Sequence, residues 1–182
     1  MNLKINDTNL ETIEESFFQI ANELINKHVL VANNSIYRIS NLEFYYFNET
    51  DHADENCHKK ERQLLNSKWY LHKNSIDLKY NRKGIDFTFG DGSNYGGALI
   101  KETTRIDDNT KFSQSKFVDE LIYVLDPSDA NDFTNKIQEN EELQFEKRED
   151  LKQYKIYQWK RIGLTKEIFK DSPYAFKVLL AK

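Results

Sequence analysis

The chain has 182 residues, 13% of them aromatic and only eight of them Gly or Pro, a composition that favours one packed core over disorder or low complexity. Its single cysteine, Cys57, excludes an intramolecular disulfide, and a mean hydropathy of -0.78 with no apolar run of spanning length argues against a membrane helix. The net charge of -4 is unevenly spread: His58 to Gly84 holds eight basic residues against two acidic ones, a local +6 that leaves -10 for the rest, much of it between Asp119 and Asp150.

The polar, acidic first residues lack the apolar stretch of a signal peptide, so a cytoplasmic protein is expected. Asp7 or Thr8 can cap a helix in which Leu10, Ile13, Phe17, Phe18, Ile20, Ala21, Leu24 and Ile25 recur at three- and four-residue spacing, giving one face to pack on a sheet. A turn at Asn33-Asn34 leads into Ser35 to Phe47, β-branched and aromatic, which reads as one long strand. Without a bulge, Tyr37, Ile39, Glu43, Tyr45 and Phe47 share a face of it. Asn48 to Ser67 is rich in Asp, Asn and Lys and reads as a long surface loop.

Strands are expected at Trp69 to His72, Ile76 to Tyr80, Ile85 to Phe89 and Ala98 to Glu102, with a basic tip at residues 81–84. The Gly-rich DGSNYGG is turn chemistry, since no Lys-Ser/Thr pair follows as in a phosphate-binding loop. Lys116 to Leu125 and Asn131 to Asn140 have helical spacing, separated by a stop and new cap at Asp126 to Asp129. Gln144 to Lys160 has no decisive period, and Tyr174 to Leu180 reads as a closing strand. The whole, residues 1–182, is expected to be one α+β domain: a curved antiparallel sheet or partial barrel with peripheral helices.

Chemistry concentrates between Tyr37 and Lys101. Glu43 lies within an aromatic strand, where a carboxylate either finds a partner or becomes a usable base through desolvation; the plainer alternatives are exposure to solvent or pairing with Arg38 or Arg105. His52 and His58 flank Cys57 without a recognised zinc spacing, so neither a metal nor another cofactor is expected. His72 reads as a half-buried strand histidine. Lys79, Tyr80, Arg82 and Lys83 combine positive charge with an aromatic ring, as phosphate contact plus base stacking would need.

Taken in order, YRISNLEFY (37–45), the loop with His52 and His58, WYLHKNSIDLKYNRKGIDFTF (69–89), YGGALIKET, WKRIGL and SPYAFKVL resemble the alkyladenine (3-methyladenine) DNA glycosylase family. The fold of that family resembles the C-terminal domain of formyltransferases. The resemblance implies base excision in DNA repair: Glu43 as the base that activates water, Tyr45 stacking on a flipped base, His58 rather than His52 in the pocket, and Tyr80 as a wedge one position out of register. Asp86 stands where the family usually has Asn, which puts a second carboxylate in the pocket and opens the alternative of a nucleotide or modified nucleic-acid binding module without hydrolysis. Ala175 replaces the basic residue that often precedes the terminal Phe. The implied partner is DNA with a damaged or modified base, with no membrane partner.

Overall fold

The structure is a computed structural model that describes residues 3–6, 9–72, 84–139, 141–164, 166 and 168–178. Helix α1 (Leu10–Asn26) buries the stripe Ile13, Phe17, Ile20, Ala21, Leu24 and Ile25, while Leu10 and Phe18 fall outside it and remain exposed. Asn9 is the residue that caps it: its side chain accepts from the Thr12 amide at 3.0 Å, and the Thr12 hydroxyl accepts from the Asn9 amide at 3.1 Å. The caps expected at Asp7 or Thr8 lie outside the described residues, as do the strand expected at Ile76 to Tyr80, with Lys79 and Tyr80, and the tip residues Arg82 and Lys83.

The strands are β1 (His28–Ala32), β2 (Ser35–Asn48), β3 (His52–Ala53), β4 (Asn66–His72), β5 (Gly84–Phe89), β6 (Tyr95–Arg105), β7 (Lys111–Ser113), β8 (Leu143–Lys147), β9 (Ile156–Trp159) and β10 (Ala175–Val178). Helices α2 (Gln114–Leu125) and α3 (Ala130–Gln138) follow β7. The pairings described are all antiparallel, in the order β4-β5-β6-β2-β1-β8, with β10 paired to the middle of β2 and β9 to the outer edge of β10. This is a mixed α+β single domain with a curled antiparallel sheet, a half-barrel. Its core joins α1 and α2 to one sheet face: Phe17 stacks on Phe44 at 5.0 Å between ring centroids, and Phe117 meets Tyr37 edge-on at 5.3 Å. No helix among the described residues is long and apolar enough to cross a membrane.

Strand β2 holds the sheet together, pairing with β6 along its length and on its other edge with β1, β10 and β3 in turn. Its register against β6 slips twice, between Ile39 and Asn41 and between Asn41 and Leu42, and the second slip cancels the first. An unpaired residue on each strand makes a crease that inverts the inward-outward alternation. Tyr37 and Ile39 point into the core before it; Leu42, Phe44 and Tyr46 do so after it. The expected sharing of one face by Tyr37, Ile39 and Glu43 is therefore wrong, because the crease sends Glu43, Tyr45 and Phe47 to the opposite side.

The stretch 48–67 is not a surface loop throughout. It contains β3 and a short 3-10 turn (Glu61–Leu64), and it buries His52, Asp54, Cys57 and Gln63. His52 is a core residue: Nδ1 must donate to the Tyr46 carbonyl at 2.9 Å, which leaves Nε2 to accept from the Tyr174 hydroxyl at 2.9 Å, and Phe169 stacks on the ring at 4.1 Å. The basic run is also partly neutralised within the fold, since Arg62 pairs with Glu139 at 2.9 Å and Lys68 with Glu141 at 2.6 Å.

Burial holds the His52 pKa below its ordinary 6.5, outweighing the hydrogen bond to Tyr46. The folded chain thus binds fewer protons at this site than the unfolded chain, so its stabilising contribution is full above 6.5 and is lost as the pH falls through that value. Urea unfolding midpoints should drop between about pH 7.5 and about pH 5.5, and His52→Gln should flatten that drop. An equal slope in both proteins would assign the loss to other groups.

Candidate functional site

On the sheet face turned away from α1, one row of directly paired residues crosses six strands: Tyr70, Asp86, Leu99, Glu43, Ala175 and Trp159. Directly opposed residues of antiparallel strands project to the same side, so the row brings two carboxylates to one surface with Leu99 between them. Two strand spacings put their backbones about 10 Å apart. Above this row lies a cavity of about 1100 Å³, lined by Glu43, Tyr45, His58, Tyr70, His72 and Asp86 among others. The volume lies just above the usual range of small-molecule sites, roomy enough for a nucleotide.

Glu43 is 3% exposed. Its Oε2 accepts from the Tyr45 hydroxyl at 2.9 Å and faces Lys101 Nζ at 3.3 Å, and its Oε1 accepts from the Ile162 amide at 3.4 Å. Neither solvent nor Arg38 or Arg105 is its partner; Arg38 instead holds the carbonyls of Ile25 and Lys152, and Arg105 pairs with Asp108 and Glu120. A carboxylate this buried needs such compensation, and Lys101 supplies a fixed cation from the neighbouring strand. Tyr45 follows Glu43 by two residues and so shares its face; burial first, and then the charge of Glu43, push its phenol well above the ordinary value, which keeps it a hydrogen-bond donor.

The opposite wall is built around Asp86, 1% exposed. His72 Nε2 donates to Oδ1 at 2.7 Å and Gln63 Nε2 to Oδ2 at 3.0 Å; the orientation of the Gln63 amide follows from its oxygen accepting the Lys60 amide at 3.2 Å. His58 Nδ1 lies 3.2 Å from the Tyr70 hydroxyl, and its ring centroid 4.4 Å from that of His72. Burial and then the charge of Asp86 raise the Tyr70 pKa, so this phenol too stays protonated. Gly97 is needed for the arrangement: a Cβ there would fall 2.6 Å from Asp86 Oδ2 and 3.0 Å from Gln63 Nε2.

A third group anchors the turn that brings Ile162 to Glu43. Arg161 Nη1 donates to Asp54 Oδ2 at 2.5 Å and to the Phe44 carbonyl at 2.9 Å, and Nη2 to the Phe169 carbonyl at 3.0 Å, with the side chains of both ionic partners fully buried. The guanidinium also lies over the Tyr45 ring, 4.6 Å from its centroid. Asp54 and Arg161 stand 107 residues apart, and of the two only Arg161 had a pointer in the sequence, as part of the WKRIGL segment of the resemblance.

The structure thus brings Glu43, Tyr45, His58 and Asp86 to one cavity and adds Lys101, His72, Gln63 and Tyr70, whereas Lys79, Tyr80, Arg82 and Lys83 lie outside the described residues. Among the described residues no group of three or more His, Cys, Asp or Glu is placed to hold a metal. Burial raises the Cys57 thiol to about 12, so it is no ready nucleophile.

No family model matches the chain. An uncharacterized protein of Acanthamoeba polyphaga mimivirus is 29% identical over 188 aligned positions, which cover 91% of this chain and 87% of that protein.

Removing one member of the buried Arg161–Asp54 pair strands the other charge. Asp54→Ala should cost about 3–5 kcal/mol in urea unfolding, and joint replacement of both by apolar residues should recover much of it. A loss below about 1 kcal/mol for Asp54→Ala would show that the pair does not hold the turn.

Proposed function

We propose that the protein is an N-glycosylase-like hydrolase acting on a base extruded from nucleic acid into the cavity between Glu43 and Asp86. The observation that carries the reading is the Glu43 carboxylate itself: buried, facing a nucleotide-sized cavity, and held by three donors from three segments. In the reaction, water attacks C1′ of the flipped nucleotide while the C1′–N bond breaks. Glu43 takes the proton of that water, the new C–O bond forms at C1′, and the bonding pair leaves with the base. Tyr45 and Lys101 hold the carboxylate in orientation; Tyr45 and Tyr70 supply aromatic surface at the cavity walls and Leu99 an apolar floor.

A cationic alkylated purine leaves as a neutral molecule and needs no proton. A neutral base does need one, and His72, fixed by Asp86, lies on the wall where a base would present its edge. The order of motifs resembling alkyladenine DNA glycosylases supports the same reading, with damaged or modified DNA as the partner, base excision repair as the setting and the cytoplasm as the compartment. One observation favours a second reading, a nucleotide or modified nucleic-acid binding module: both oxygens of the Glu43 carboxylate are already engaged, Oε2 by Tyr45 and Lys101 and Oε1 by the Ile162 amide, which leaves less of it to meet a water.

Release of alkylated and deaminated purines from oligonucleotides, with wild type against Glu43→Gln, decides between the two. The hydrolase reading expects excision by wild type and a loss of about 100-fold or more in Glu43→Gln, the share usual for a general base. Binding without release by the wild type, or release that Glu43→Gln leaves intact, would overturn it.

A further inference from the structure

Strand β9 is paired only with β10 among the described residues, and it continues the row that carries Glu43: Trp159 pairs with Ala175, which pairs with Glu43, and Tyr157 pairs with Lys177, which pairs with Asn41. Trp159 and Tyr157 therefore stand on the same sheet face as the catalytic carboxylate, beginning two strands away from it. Both aromatic residues are exposed, Trp159 by 55%. Side by side on one strand face, and joined by the exposed Ile162, they make a contiguous apolar patch rather than scattered exposure, the kind of surface that marks a contact site.

Each ring is accompanied by a lysine. Lys177 Nζ lies 4.8 Å from the Trp159 centroid, and Lys155 Nζ lies 5.2 Å from that of Tyr157. From Leu151 to Lys166 the chain carries Lys152, Lys155, Lys160, Arg161 and Lys166 and no carboxylate, although the protein as a whole is acidic. Across the gap, Asp171 meets Lys160 at 3.5 Å, and Arg161 is committed to Asp54. Between the strip and the cavity stands Ile162, 75% exposed, whose backbone amide reaches Glu43.

We infer that the β9–β10 strip, Lys155, Tyr157, Trp159 and Lys177, is a track for single-stranded nucleic acid that leads to the cavity past Ile162. Alternating cations and flat rings are suited to a strand whose phosphates meet lysines and whose unpaired bases stack, and stacking requires bases free of a complementary strand. An acidic peptide would use the lysines and leave Tyr157 and Trp159 without a role. The inference rests on the nucleic-acid reading of the cavity, yet it concerns binding outside the cavity and survives or fails separately from hydrolysis.

The chain contains two tryptophans, and Trp69 is buried with its indole N–H on the Leu143 carbonyl, so Trp159 is the one that a ligand can reach. Oligothymidylate titrated into Glu43→Gln protein, in which the hydrolase reading slows turnover about 100-fold or more, should quench the emission of Trp159, and the quenching should be absent in Trp159→Phe. Anisotropy with the same labelled oligonucleotide should show affinity about 5- to 150-fold weaker for Trp159→Ala, the range base stacking provides. Lys155→Glu should weaken binding and reduce its dependence on salt. The track is overturned if low-salt oligothymidylate leaves the emission unchanged, if Trp159→Ala binds as tightly as its parent, or if a blunt duplex quenches as well as the single strand. Loss of base excision with quenching intact would count against the Glu43 chemistry alone and would support the track.

Discussion

Holding two carboxylates out of water on one sheet face without stranding either is the constraint around which this molecule is arranged. An unpaired buried charge costs several kcal/mol, so each acid must have its donors delivered by the fold. For Glu43 they come from the same strand two residues on, from the adjacent strand and from a turn over a hundred residues away. For Asp86 they come from β4 and from the 3-10 turn. The same long-range pairing that closes the sheet therefore completes the site, and the buried Arg161–Asp54 pair ties the last of these segments to the strand beneath it.

The two walls differ in kind. Glu43 has an ammonium beside it and a phenol whose proton is held firmly, and together they fix the carboxylate in place. Asp86 is bound to an imidazole, the side chain best suited to exchanging a proton near neutrality, with a second imidazole and a phenol beside it. Leu99 separates them, so the acids do not share a partner. A cavity with a carboxylate and an ammonium on one side and a carboxylate and two imidazoles on the other, floored by an apolar side chain, is chemically polarised along the sheet's transverse direction.

Much of this was legible in the sequence because it depends on local pattern. The α1 stripe, the long aromatic strand, and the placement of Glu43, Tyr45, His58 and Asp86 near one another in the chain follow from periodicity and resemblance. What escaped depends on distant pairing. The crease in β2 exists only against its counterpart in β6, so nothing in SIYRISNLEFYYF announced that Tyr37 and Glu43 would part. Lys101 becomes the partner of Glu43 through cross-strand register, and Asp54 meets Arg161 only when the strand ends converge. The stretch 48–67 misled through its polarity: His52, Asp54 and Gln63 are buried because each finds a partner inside, which composition does not record. The basic run of 151–166 went unread because its segment lacks a clear period.

The crease has a wider consequence for how such a sheet can change over generations. Side chains on a strand obey a two-step clock, and here the clock is reset midway by one unpaired residue on each of two neighbouring strands. Straightening β2 without shortening it would throw its remainder out of phase, turning Phe44 outward and Glu43 into the hydrophobic interior. Deleting its unpaired residue instead leaves Leu42, Phe44 and Tyr46 facing inward, because the two-step count from Ile39 to Leu42 then closes. Lengths between Ile39 and Leu42 and between Ile100 and Thr103 can therefore shrink by one in either strand, leaving a lone bulge in the other, or in both, giving a flat sheet, whereas a further residue in either must be looped out as another bulge to keep Glu43 on its side.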